Sequence, residues 1–255
     1  DVVPNLQTLK NIPIVFAEHF SYYHNAFNQL PTSEKEAKRE EISNWLNQSK
    51  INRILPVSNQ LKNVFVEEFK VDINKVLVLP NVASNTFKYI EGVMKNENKF
   101  TILLAARWQH PKNPFLFIEV LEKLPNEYRN RLSINWVGEG EQYAKIKKAL
   151  SMLDVKVNYF GFLPKEKIAA LMQESDLFVH PTDKENLPCV IIESLCCGLP
   201  VLSCNVNGIP ELINNSNGRM YKLKDVISFT ENLLWMIENI NYFDRKRISE
   251  EALQK

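Results

Sequence analysis

From about Phe100 onward, short apolar runs alternate with longer amphipathic stretches. That alternation predicts strands at Phe100–Ala106, Ser133–Val137, Val157–Phe160, Leu177–His180 and Val201–Ser203. Helices are predicted near Pro114–Lys123, Glu141–Leu153, Lys165–Ser175 and Leu187–Cys197. Strand–helix alternation at this spacing implies parallel βαβ units with right-handed crossovers. Asn217–Lys222 adds an edge strand, and Val226–Ile240 a helix with an apolar stripe.

The first part carries fewer such units. Asn11–His19 reads as a strand with a polar tip, followed by the aromatic stretch Phe20–Tyr23. Ser33-Glu-Lys-Glu36 reads as a capping box opening a helix to about Gln48. Asn52–Ser58 gives a strand whose last residue caps a helix to about Lys70, and Val76–Pro80 closes the pattern. Polar residues from Asn81 to Lys99 read as a linker. The expected fold is therefore α/β: a partial Rossmann-like N-terminal domain with its linker (1–90), then a complete, doubly wound, Rossmann-like C-terminal domain (91–255).

Composition narrows the picture. Basic and acidic residues number 31 and 30, so no global field favours nucleic acid or an anionic membrane, and any anion site must be local. No apolar run approaches the ~20 residues of a membrane span, and Asp1 opens no signal-peptide pattern. The expectation is a cytoplasmic protein. Cys189, Cys196, Cys197 and Cys204 show no zinc spacing and read as buried reduced thiols, the alternative being a reactive Cys189 near the candidate site. No DxD, HExxH or clustered His/Asp set suggests a metal.

The segment from His180 to Pro200 holds the most informative chemistry. Glu185 falls in a loop at the carboxyl end of a predicted strand, with Asn186 as candidate N-cap and Pro188 in the first turn of the next helix. Open α/β sheets bind ligands at this place, and backbone N–H groups there attract phosphate. Glu193, two turns into the helix among Val190, Ile191, Ile192 and Leu195, would be costly to bury uncompensated. The vicinal hydroxyls of a ribose would compensate it; the alternative is a surface Glu on a polar side. Arg107 and Lys112 follow a strand end and could clamp a diphosphate, or be solvated charges. Gly138-Glu-Gly140 lacks the third glycine of a dinucleotide fingerprint. It lets backbone approach a ligand or simply makes tight turns. His19 at a strand end either faces a cleft or is structural.

In chain order, these motifs resemble the family-4 retaining glycosyltransferases (group 1 type) of GT-B fold. The resemblance is carried by Arg107 with Lys112-Asn113, Val137-Gly138-Glu-Gly140, Val157-Asn-Tyr-Phe-Gly161, Ser175–Thr182, Glu185-x7-Glu193, Cys197-Gly-Leu-Pro-Val201 and Gly208-Ile-Pro-Glu211. His19 and Pro80-Asn81 look like the family's acceptor-domain histidine and the Pro-Asn before its linker. The resemblance implies Arg107 and Lys112 on the donor diphosphate, Glu193 on the ribose and Glu185 on the transferred sugar. Backbone near Gly138, Gly161 and Phe162 would approach the nucleotide, with Asn186 and Leu187 beside the sugar and His19 as a further catalytic candidate. It also implies a UDP- or GDP-linked sugar donor, a glycan or lipid-linked acceptor in cell-surface polysaccharide synthesis, no essential metal, and electrostatic leaving-group stabilisation.

Three departures stand out. Asn186 replaces the usual glycine after the first Glu, Leu187-Pro188 replaces an aromatic-glycine pair, and Asn207 replaces a glycine before Gly208. The chain also starts inside the expected acceptor domain and stops near a final crossing helix. The expectation is a fragment whose second domain binds nucleotide alone and whose exposed sheet edge favours association. A sugar-nucleotide epimerase and a non-catalytic binding module remain as alternatives. The mixed charge of Ser33–Gln48 predicts at most peripheral contact with a membrane, at its inner face.

Overall fold

The computed structural model describes residues 14–19, 31–94 and 99–254. Residues 11–13 of the first predicted strand and the aromatic stretch Phe20–Tyr23 lie outside them. The chain divides into two compact units, one of residues 1–81 with 185–187 and one of residues 82–184 with 188–255.

The first unit holds β1 (Ile14–Glu18) and β2 (Ile51–Pro56), paired in parallel, with α1 (Thr32–Leu46) between them in sequence. Its core gathers Ile42, Trp45, Leu46, Ile51, Ile54, Leu61, Phe65 and Phe69, with Phe16 packed edge-on to Trp45. The capping box is not used. The helix starts at Thr32 behind Pro31, which places Ser33 inside the first turn, and no side chain caps the end. Ser58 does cap α2 (Asn59–Asn63), accepting from the Leu61 N–H at 3.1 Å, and the helix runs on as a wider turn through Glu68. The apolar run Val76–Pro80 that closes the pattern follows β2 through a single bridge to Ile54 and bonds from the Leu77 and Leu79 N–H groups. Pro80 has no N–H with which to extend that ladder.

The second unit is a sheet of six parallel strands: β3 (Phe100–Ala105), β4 (Leu132–Val137), β5 (Lys156–Phe160), β6 (Leu177–His180), β7 (Val201–Cys204) and β8 (Gly218–Tyr221). Their spatial order is β5-β4-β3-β6-β7-β8. Order reverses between β3 and β6, which makes their carboxyl ends the switch point where doubly wound sheets hold ligands. The strands β3, β4, β6 and β7 are almost wholly buried, as strands covered on both faces are; in β4 the buried Asn135 accepts from the Asn158 side chain at 2.9 Å. Helices α3 (Pro114–Lys123), α4 (Asn126–Arg129), α5 (Tyr143–Leu150), α6 (Lys165–Glu174), α7 (Cys189–Cys196) and α8 (Val226–Glu238) connect or flank them. α5 is shorter at both ends than predicted, and α9 (Arg245–Leu253), which packs on α7, was not predicted.

The polar linker is partly structural in this unit. Phe87 is buried, the Lys88 carbonyl accepts from Gln173, and Ser84 meets Lys165. Among the described residues no helix is long and apolar enough to cross a membrane.

Candidate functional site

The two glycines after β4 are fixed by geometry. A Cβ on Gly138 (φ +100°) would stand 2.0 Å from the Ala106 carbonyl oxygen, and one on Gly140 (φ +159°) 2.3 Å from that of Trp108. The backbone that these glycines admit is therefore that of the neighbouring loop after β3. The Trp108 N–H donates to the Glu139 carbonyl at 2.9 Å, and its indole N–H to the Val137 carbonyl at 2.9 Å. Trp108, buried and packed on Trp136, thus locks the loops after β3 and β4 together. Sequence reasoning passed over it, although a Trp directly after the candidate Arg107 was a usable signal.

Next to that lock opens a cleft of about 550 Å³, lined by residues that include Arg107, Gly138, Glu139, Phe162, Val190 and Glu193. It sits at the carboxyl ends of β3, β4 and β5 and against α7, on one side of the switch point. Four of the predicted donor-site residues meet here. Gly161 lies just behind, its carbonyl accepting from the Gly138 N–H at 3.0 Å. Phe162 is 88% exposed, a large apolar ring presented at the rim.

Arg107 is exposed, and Glu193 is half-buried on the first turns of α7. Neither forms an ion pair or side-chain hydrogen bond with a described residue. Burial pushes the Glu193 carboxyl above the usual carboxylate range. One cleft therefore presents an unpaired cation and an uncompensated carboxylate. A ligand anionic at one point and rich in hydroxyl donors at another satisfies both. α7 begins behind Pro188 without a side-chain cap, so its first N–H groups are available to an anion. The predicted cap does not form, because Asn186 turns to other partners.

Lys112 is not in the cleft lining. Its strand-like bridge to Thr182 joins the loop after β3 to the loop after β6, and its ammonium lies 3.3 Å from Nε2 of His180. Burial lowers the Lys112 pKa to about 8. Asn113 braces the same junction: its side chain donates to Asp183 at 3.0 Å and caps α3 by accepting from the Leu116 N–H.

Glu185, Asn186 and Leu187 group with the first unit. There the Ser58 hydroxyl donates to the Asn186 side-chain oxygen at 2.8 Å, and both residues are buried. The exposed His19 presents Nδ1 to the Asn81 side-chain oxygen at 2.9 Å. Asn81 in turn donates to the Leu187 carbonyl at 2.7 Å. Among the described residues no group of three or more His, Cys, Asp or Glu is placed to hold a metal ion.

A doubly wound parallel sheet with this strand order and a cleft beside its switch point defines a domain of the Rossmann-like class. The chain belongs to the group 1 glycosyl transferases, whose family pattern matches residues 85–255. It is 27% identical over 204 residues to the UDP-Gal:alpha-D-GlcNAc-diphosphoundecaprenol alpha-1,3-galactosyltransferase of Escherichia coli, covering 71% of this chain and 50% of that protein. It is 25% identical over 203 residues to the GalNAc-alpha-(1->4)-GalNAc-alpha-(1->3)-diNAcBac-PP-undecaprenol alpha-1,4-N-acetyl-D-galactosaminyltransferase of Campylobacter jejuni, covering 79% of this chain and 54% of the other. The chain thus spans about half the length of these curated relatives. Among solved structures, Anabaena Alr3699/HepE in complex with UDP superposes with a TM-score of 0.77 at 19% identity, over 95% of this chain and 68% of that one. At that identity the likeness establishes the fold, which is GT-B.

Proposed function

We propose that the protein moves a glycosyl unit from a nucleotide-sugar donor to a hydroxyl of a glycan or lipid-linked acceptor in cell-surface polysaccharide synthesis. The observation that carries this reading is the pairing in one cleft of an unpartnered Arg107 with an uncompensated Glu193. A nucleoside diphosphate supplies what each lacks: oxyanions for the guanidinium fork and two vicinal ribose hydroxyls for the carboxylate. Phe162 at the rim offers a flat face to a base, and the Gly138 and Gly161 backbones bound the same end of the cleft.

In transfer, negative charge grows on the departing diphosphate. Arg107, the N-terminus of α7 and Lys112 are the groups proposed to stabilise it, with no essential metal. Retention of anomeric configuration and contact of Glu185 with the transferred sugar belong to the same proposal. His19, Asn186 and Leu187 are proposed to act beside that sugar. The UDP-containing names of two similar proteins make UDP the first nucleotide to test. With a lipid-linked acceptor, such as those named for the Escherichia coli and Campylobacter relatives, the reaction is proposed to take place at the inner face of a membrane through peripheral contact.

The test is a thermal-shift titration with UDP, GDP and ADP, with and without EDTA, followed by transfer assays with the matching sugar donors. A ligand that binds only the folded state raises the melting temperature. A chelator-insensitive rise with one nucleotide, together with turnover that Glu185→Ala abolishes while nucleotide affinity persists, is the expected result. Nucleotide binding without transfer to any glycan or lipid-linked acceptor would leave a binding module in place of an enzyme.

A further inference from the structure

Asn81 stands at the centre of a hydrogen-bond chain whose direction can be read unambiguously. The Leu187 carbonyl only accepts, so the Asn81 group that faces it at 2.7 Å must be the amide NH2. The Asn81 side-chain oxygen is then the atom 2.9 Å from Nδ1 of His19. An amide oxygen only accepts, so Nδ1 must carry the proton. In a neutral imidazole the proton on one nitrogen leaves a lone pair on the other. The hydrogen bond made by one ring nitrogen thereby sets the state of its partner.

We infer that Asn81 is a positioning residue that holds His19 as its Nδ1–H tautomer and leaves Nε2 as a hydrogen-bond acceptor for a substrate hydroxyl. Four features of the structure support it. His19 and Asn81 are 62 positions apart in sequence, so the contact is built by the fold and is not a local accident. The amide has partners on both sides, which leaves it no freedom to flip. The His19 backbone is tied as well, its carbonyl accepting from the Asn186 side chain at 3.5 Å. Asn186 in turn accepts from Ser58, the cap of α2, so the ring hangs from a braced segment. The ring itself is exposed, as a group that meets substrate must be. The tautomer does not depend on the glycosyltransferase reading; only its use in transfer rests on that reading.

The test reads the tautomer directly. Long-range proton–nitrogen correlation spectra of uniformly 15N-labelled protein, recorded near pH 8 where a histidine is neutral, are compared for wild type, Asn81→Ala and Asn81→Asp, with His19→Gln assigning the signal. Wild type is expected to show a protonated Nδ1 and a lone pair on Nε2. Asn81→Asp keeps an oxygen acceptor for Nδ1–H and retains that pattern, although it loses the bond to Leu187. Asn81→Ala loses the acceptor and shifts toward a mixture of tautomers. In parallel, Asn81→Ala is expected to lower kcat by about tenfold or more, the size of effect one lost hydrogen bond can reach, with UDP affinity within twofold of wild type and Asn81→Asp the more active variant. An Nε2–H wild type, a pattern unmoved in Asn81→Ala, or a shifted tautomer with full turnover overturns the inference. A wild type that transfers no sugar defeats the glycosyltransferase reading instead, and the spectra still decide the tautomer.

Discussion

The ammonium nitrogen of Lys112 lies 3.3 Å from Nε2 of His180, so a half-buried cation rests against a fully buried imidazole. Burial, with repulsion from Lys112 second, holds the His180 pKa well below the usual histidine value. His180 is thus neutral at pH 7, and its Nε2 accepts from the ammonium. The imidazole holds the ammonium at the junction of the loops after β3 and β6, and for the proposed diphosphate ligand it makes binding depend on pH.

Lys112 has its pKa lowered to about 8 by burial. In the unfolded chain its proton is held to a higher pH, so the cost of burying the ammonium is fully present below about 8 and is relieved as pH rises toward the unfolded value. For a diphosphate the sign is opposite: affinity depends on the charged form and falls as pH rises through about 8. A charge-assisted bond of ~1.5–3 kcal/mol corresponds to a loss of roughly 10- to 100-fold. Calorimetric titration of UDP between about pH 7 and 10 should show this decline in wild type. Lys112→Arg should abolish the slope, because a guanidinium keeps its charge, and Lys112→Met should bind weakly at every pH. A wild-type affinity that is flat over this range would remove Lys112 from the diphosphate site.

Glu193 joins stability and binding in opposite senses. Its pKa is raised by burial, so its contribution to stability is present at low pH and lost as pH rises through the folded value. At pH 7 the ligand-free protein carries an ionised carboxylate that is half out of water and has no partner. Glu193→Gln should therefore melt at a temperature equal to or above wild type at pH 7, with any gain vanishing well below the unfolded glutamate value of about 4.3, where the carboxyl is protonated in both states. The same variant should bind UDP at least about tenfold more weakly, since hydrogen bonds from hydroxyls to a charged acceptor contribute ~1.5–3 kcal/mol. Equal UDP affinities for the two proteins would sink the ribose assignment.

Much of this was legible in the residues. Strands β3, β6 and β7 stand out as short apolar runs, β4 as an alternation of apolar residues with Ser133 and Asn135, and their helices follow by alternation. The charged members of the cleft, Arg107 and Glu193, could be picked because a cation at a strand end and a carboxylate among Val and Ile side chains each ask for a partner. The bonds between distant positions were not legible. Asn186 looks like a helix cap in sequence, and only the fold brings it to Ser58, 128 positions away. Pro80-Asn81 was singled out as a motif, yet its purpose depends on His19 and Leu187. Trp108 was missed because one aromatic residue between two polar ones carries no period. The apolar run Val76–Pro80 closes the pattern with a single bridge, to Ile54, and its Leu77 and Leu79 side chains face solvent, so apolar content there marked neither burial nor a full ladder.

The end of the second unit offers a last prediction. Arg245, at the start of α9, donates to the carbonyls of Ser175 at 2.7 Å, Met172 at 3.1 Å and Cys197 at 3.5 Å. The first two lie at the C-terminal end of α6 and the third at that of α7, where unsatisfied carbonyls and the negative end of the helix dipole favour a cation. One turn further on, the buried Ser249 hydroxyl donates to the Cys196 carbonyl at 2.6 Å. A Cβ on Gly198 (φ +69°) would stand 2.3 Å from the Arg245 carbonyl oxygen, so the two backbones are in contact there. α9 is thus a cap shared by two helices, one of which carries Glu193. Arg245→Ala leaves several buried carbonyls without a donor and should cost about 3 kcal/mol. For a protein of this size that is a fall in Tm of roughly 6–12 °C, with Arg245→Lys recovering part of it. Hydrogen exchange should quicken at the last turn of α7 before it does in β3 or β4. A melting temperature within a degree or two of wild type, with α7 equally protected, would show that packing alone holds α9 in place.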